Sequence, residues 1–386
     1  MRDQYIPLSV PHLTGREEEY VVDCIRSNWI SSVGDYVARF EKEFAAYVGT
    51  PHAVAVMNGT AALHLALLLG GVDAGTDVFV PSLTFVAPVN VVRYAGAHPV
   101  FVDVDSDTIG ISPQSISTYI EANCETDESG LRNRITGRYI RAIIAVHLYG
   151  SVCDLAALSE LARCYGLSLI EDAAEAVGCR FGRSHAGVVG DCGCFSFNGN
   201  KVLSTGGGGM LVTADERKAA RAAHLSTQAK TDPFNYVHDE IGYNYRMTNI
   251  QAAIGVAQLE HLDEMLARKR AVFDRYADAF SRLGTVRLLR PQPPVTSNCW
   301  LALLQIDSSE KQRFIKSMEA AGIQTRPMWS LAHELPMYTG YPGTDLENSE
   351  YFHEHTFCLP CQSGMSESEV DRVVGAVEEF AAGATV

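Results

Sequence analysis

The chain reads as an α/β protein, with a large α/β/α unit built on a mainly parallel sheet and a smaller α/β unit behind it. Two observations predict this. Short apolar runs rich in β-branched residues recur through the first 213 positions, and amphipathic helical patterns lie between several of them. A third observation places the change of unit: from residue 249 to 283 the pattern is almost continuously helical, and the run PQPP at 291–294 then breaks it.

The apolar runs are 53–57 (AVAVM), 78–80 (VFV), 99–104 (PVFVDV), 142–148 (AIIAVHL), 167–170 (LSLI), 194–197 (CFSF) and 210–213 (MLVT). Each has the length of a buried strand. Over 36–48, Val37, Phe40, Phe44 and Val48 share one stripe, and Gly49 supplies the stop. A further helix starts at Asp154, whose carboxylate can cap it, and ends before Gly166. Near the end, Ser366 and Glu369 have capping-box spacing ahead of Val370, Val373, Val374, Val377 and Phe380, which predicts a packed terminal helix. The expected domains are 14–250 and 251–386, with segment 1–13 joining the second.

Of the 386 residues, 47% are hydrophobic and 20% charged, as in an ordinary folded enzyme. A formal net charge of -15 argues against nucleic acid or an anionic membrane surface as partner. The N-terminal MRDQYIPLSVPHLTG has no apolar leader core, and no run is long enough to span a bilayer, so a soluble cytoplasmic protein is expected. Of ten cysteines only Cys358 and Cys361 have C-x-x-C spacing, without a second pair to complete a zinc tetrad. No metal site is expected, and FCLPC reads as structural.

Four features carry chemistry. Lys201, in FSFNGNKVLSTGGGG, follows a strand, which anchors an otherwise mobile amine. Asp172 follows LSLI, at the carboxyl end of a parallel strand where ligands of open α/β sheets bind. Asn58, Gly59 and Thr60 stand between a strand and a helix, where free amides make an anion site, and Ser196 could add a hydroxyl. Phe85, just after VFV, can offer a ring face. A lysine for an aldehyde, an acid for a pyridine nitrogen, a phosphate cradle and a ring surface are what pyridoxal phosphate (PLP) requires. Each residue alone has a plainer reading: a surface lysine, the N-cap of a helix starting near Ala173, an ordinary strand-to-helix turn, a core phenylalanine. The glycines at 206–209 do not form G-x-G-x-x-G after a first strand, and no G-x-x-x-x-G-K-[ST] occurs, so dinucleotide and P-loop readings lose their support.

The order of these motifs resembles the DegT/DnrJ/EryC1/StrS sugar aminotransferases, which are fold-type-I PLP enzymes. The resemblance runs through NGTAALHLAL, PSLTFVAPVN, FVDVD, IEDAAEAVG, FSFNGNK, TGGGGM and IGYNYRMTNIQAA. GRYIRAIIAVHLYG, VHDEIGYNYRMTNI, SNCW and QTRPMWSLAHELPMY are similar to the branch that aminates C4 of a UDP-linked 4-keto-6-deoxy-N-acetylhexosamine, as in legionaminic acid synthesis. The neighbouring GDP-perosamine branch, acting on GDP-4-keto-6-deoxymannose, shares GYNYRMTNI. The resemblance implies an aspartate-aminotransferase-like fold and a ping-pong exchange in which L-glutamate converts PLP to pyridoxamine phosphate, which then aminates the sugar ketone. It makes Lys201 the Schiff-base lysine and proton shuttle, and Asp172 the partner of the pyridine nitrogen. It puts Gly59, Thr60 and Ser196 on the phosphate, Phe85 on the ring and Glu175 near the phenolic oxygen. It also implies a homodimer with shared sites, Asn244 reaching the neighbouring subunit's phosphate. Trp29, Ser31, Arg246, Arg326 and His333 fall in segments bordering the sugar-nucleotide site. Relatives that dehydrate at C3 carry histidine at the Lys201 position, so lysine here favours transamination. Two other classes compete: a PLP-fold regulator or assembly subunit without catalysis, and an oxidoreductase acting on a nucleotide sugar.

Overall fold

The computed structural model describes residues 5–13 and 15–383. Residues 1–4 of the N-terminal segment and residue 14, the expected domain start, lie outside the described residues.

All seven apolar runs become strands of one sheet: β1 (His52–Val56), β2 (Thr76–Pro81), β3 (His98–Val102), β4 (Tyr139–Val146), β5 (Ser168–Asp172), β6 (Cys192–Ser196) and β7 (Gly209–Thr213). Their order is β1-β7-β6-β5-β4-β2-β3. The five strands from β6 to β3 are parallel, while β7 runs antiparallel to both neighbours. Every residue of β2, β6 and β7 is buried, as a sheet covered on both faces requires. A hairpin of Cys124–Asp127 and Gly130–Asn133 extends the sheet from β4. Its sequences, CETD and GLRN, lack the apolar run by which the other strands are recognised.

The expected helices form at Asp35–Val48, with Gly49 left-handed at its end, and at Leu155–Tyr165, capped by the Asp154 side chain. The helix Gly59–Leu69 is buried over most of its surface, because it lies between the sheet and the helices Val86–Tyr94 and Glu216–Ser226. The long helical stretch divides at His261 into Asn249–Glu260 and Leu262–Phe280.

Behind this layer, β8 (Arg287–Leu288), β9 (Ala302–Gln305), β10 (Arg326–Pro327) and β11 (Thr356–Leu359) form an antiparallel sheet in the order β8-β9-β11-β10. Its core gathers Phe314, Phe357 and Phe380 with Ile6 from the N-terminal segment, and Ile6 also bridges to Ile323. The Ser366/Glu369 capping box closes as its spacing predicts. Among the described residues no helix is long and apolar enough to cross a membrane. Parallel β4, β5 and β6 deliver His147, Asp172 and Ser196 to one edge, and the site is built there.

Candidate active site

A cavity of about 860 Å³ opens over that edge, between the N-terminus of helix Gly59–Leu69 and residues of the second sheet layer. Asn58, Gly59, Thr60, Phe85, Asp172, Glu175, Ser196, Lys201 and Arg326 all line it. The Lys201 ammonium lies 3.1 Å from Glu175 Oε1 and 4.2 Å from the centre of the Trp300 ring. Glu175 is buried, and its Oε2 accepts the Tyr149 N–H at 2.9 Å. Burial pushes its carboxyl above the usual range, against the opposing pull of Lys201.

Asp172 closes β5 and is buried. The helix expected from Ala173 does not form; the chain turns instead, and Asp172 Oδ1 accepts the Ala174 N–H at 3.0 Å. Burial raises the Asp172 carboxyl, with the Ala174 amide and Lys201 acting the other way. Its neighbour Glu171 faces the opposite side of the strand. There it accepts His147 Nε2 at 2.9 Å and the N–H groups of Gly187, Val189 and Gly190 at 2.6 to 2.7 Å. Burial alone would raise Glu171, but His147 and these amides hold it below the carboxylate range. The floor of the site is thereby fixed from beneath.

The cradle depends on missing side chains. Asn58 caps the helix, its Oδ1 accepting the Ala61 N–H at 2.8 Å, which leaves the first helical amides directed at the cavity. A Cβ on Gly59 would stand 2.9 Å from the Ser196 Cβ, and one on Gly209 would stand 2.5 Å from the Asn58 carbonyl carbon. The last residue of the glycine run therefore lets β7 pass beneath the turn, a packing role. An anion cradle, a buried carboxylate and an amine within one cavity fit PLP in charge and in kind.

The remaining predicted residues stand apart from the cavity. Asn244 is exposed and bridges to Thr227. Arg246 is held by Glu41 at 2.5 Å and by the Ala55 carbonyl. The carbonyls of Trp29 and Ser31 both accept from Asn249, and Trp29 is exposed. His333 Nδ1 meets Ser82 Oγ at 2.7 Å.

An aromatic ladder that no motif in the sequence announces runs along the cavity wall. Tyr149 stacks between Trp300, at 5.7 Å, and Trp329, at 4.6 Å, and Trp329 lies 6.0 Å from Phe85. Such contacts contribute about 1 kcal/mol each beyond the area they bury. The segments SNCW, PMWS and HLYG hold these rings, but their spacing gives no sign that they meet.

Residues 11–378 match the DegT/DnrJ/EryC1/StrS aminotransferase family. The chain belongs to that family. It is 41% identical over 379 residues to the GDP-perosamine synthase of Caulobacter vibrioides, covering 97% of this chain and 98% of that one. Identity to the GDP-perosamine synthase of Escherichia coli O157:H7 is 38%, over 98% and 99% of the two chains. The sugar aminotransferase Spr1654 of Streptococcus pneumoniae in its PLP form superposes with a TM-score of 0.88 at 26% identity, covering 98% of this chain and 99% of that one. The protein is accordingly a PLP-dependent sugar aminotransferase of fold type I.

The site carries a stability cost that can be measured. Because the folded state raises the Asp172 carboxyl, the stability linked to its protonation is present below the ordinary aspartate range and lost as pH rises through the raised value. Asp172→Asn removes that cost, so the cofactor-free variant should melt roughly 2–4 °C above wild type at pH 7.5. The gap should close toward pH 4, and the variant should retain PLP poorly. Equal melting temperatures at pH 7.5 would count against a destabilising carboxylate.

Proposed function

We propose that the protein moves an amino group from L-glutamate to C4 of a nucleotide-linked 4-keto-6-deoxy sugar. The observation that carries this is the meeting of Lys201, Glu175, Asp172 and the Gly59–Thr60 cradle in one cavity of a sugar aminotransferase. PLP, when bound, supplies an electron sink that eases proton removal from carbon beside nitrogen.

The chain's residues divide the work around it. Asp172 would pair with the ring nitrogen, whose proton gives the buried carboxylate the nearby cation that offsets its desolvation. Amides of Gly59 and Thr60, with the Ser196 hydroxyl, would hold the phosphate. Phe85 would cover one face of the ring. Lys201 would carry the proton in each half of the exchange, and Glu175, at 3.1 Å, would aim its amine and sit near the phenolic oxygen. Arg326 borders the cavity and would meet a phosphate of the nucleotide. Lys201→Ala should abolish turnover and the absorbance of lysine-bound cofactor; a variant that turns over normally would remove Lys201 from the chemistry.

For the carrier, identity to two GDP-perosamine synthases supports GDP-4-keto-6-deoxymannose. The stretches GRYIRAIIAVHLYG, SNCW and QTRPMWSLAHELPMY support a UDP-linked N-acetyl sugar. Offered both with glutamate, the enzyme should prefer the GDP sugar. A strong preference for UDP-4-keto-6-deoxy-GlcNAc would restore the UDP reading.

The proposal includes a homodimer with shared sites. Segment 230–241, next to Asn244, leaves Phe234 at 87% and Ile241 at 82% exposure, with Tyr236 exposed between them. Such apolar side chains in water are an ordinary mark of an interface. Ile241→Asp should shift the protein to monomers in light scattering and lower activity with them; a fully active monomer would exclude sites completed by a partner.

A further inference from the structure

We propose that Trp300 is a positioning residue that receives the Lys201 ammonium whenever the lysine is not joined to the cofactor. The inference rests on the reading of Lys201 given above and adds a residue to it. Two contacts converge on the lysine from Trp300. Its ring lies under the ammonium at 4.2 Å, and its Nε1–H donates to the carbonyl of Asn200, the residue before the lysine, at 2.7 Å. One side chain therefore holds both the backbone and the charged tip of Lys201.

Trp300 is itself firmly set. It is only 3% exposed and stacks on Tyr149. Its N–H donates to Asn298 Oδ1 at 2.9 Å, and its carbonyl accepts from the buried Lys269 ammonium at 3.1 Å. Asn298 in turn donates to the carbonyls of Glu175 and Val177 at 2.8 and 2.9 Å. The indole and the Glu175 carboxylate are thus fixed to one frame, with the ammonium between them. Cys299, joining Asn298 to Trp300, has φ +50°, a backbone region seldom used by a side-chain-bearing residue and retained where the surroundings enforce it.

A freed lysine amine is a flexible cation on four methylenes, and carboxylate attraction alone does not fix its direction. A ring beneath it adds a preference for the charged form and for one position, worth roughly five- to thirty-fold in a partly desolvated site. In this arrangement the amine is kept beside Glu175, within the cavity, between the two halves of the exchange.

The test uses cofactor-free protein, so that it does not depend on turnover. Acetylation of Lys201 by limiting acetic anhydride, measured by mass spectrometry against exposed Lys42, reports how strongly the charged amine is held at each pH. Trp300→Phe keeps a ring and should leave the labelling profile near that of wild type. Trp300→Leu should move it toward lower pH and raise Lys201 labelling at pH 8 roughly tenfold, the size expected of a desolvated cation–π contact. With cofactor restored, the loss in Trp300→Leu should fall on kcat more than on the KM for the sugar. If Trp300→Leu does not fold, Trp300→Met takes its place. A profile identical to wild type in the folded ring-less variant, or an equal shift in Trp300→Phe, overturns the proposal. Lys201→Ala separates this from the underlying reading: if that variant stays active, Lys201 itself is misassigned; if it is dead while the Trp300 profiles coincide, only the role of Trp300 falls.

Discussion

Two carboxylates, Asp172 at the end of a strand and Glu175 in the turn after it, are buried three residues apart, and the Lys201 amine acts on both as a cation. Removing charges from water costs several kcal/mol each unless partners and amides replace the lost hydration. Much of the surrounding architecture meets that demand. Parallel strands bring the carboxyl ends together, the turn after β5 gives Asp172 the Ala174 amide, and the turn after β4 gives Glu175 the Tyr149 amide. The proposed pairing of Asp172 with the pyridine nitrogen would add a further cation beside that carboxylate.

The same economy governs Glu171 one residue earlier. It points away from the cavity and is satisfied by His147 and three backbone amides, so its burial yields a rigid floor. Alternation along a strand thus gives adjacent acids opposite surroundings, backbone amides and His147 for Glu171 and the cavity for Asp172. The aromatic ladder from Trp300 to Phe85 supplies an apolar wall that keeps the local dielectric low and strengthens each charge contact within it.

Much of the fold was legible because the signals were local. Each of the seven apolar runs became a strand of one sheet, and Asp154, Gly49 and the Ser366/Glu369 pair ended or began their helices as side-chain capping requires. The hairpin at 124–133 was not legible, since polar strands at a sheet margin carry no apolar pattern. The helix expected after Asp172 failed because the chain there must turn to wrap the cavity, and tertiary context overrides a capping signal.

By itself, the sequence determined the strand set, the order of the motifs and the residue types the cofactor needs, because each depends on near neighbours in the chain. Only the tertiary structure decided which of those residues share a cavity. Gly59, Thr60, Phe85, Asp172, Glu175, Ser196, Lys201 and Arg326 do; Trp29, Ser31, Asn244, Arg246 and His333 do not. It also brought Trp300 beneath Lys201 from 99 residues away, through β9 and the bonds of Asn298 and Lys269. No spacing rule reaches that far, since the meeting is set by how the two sheets pack.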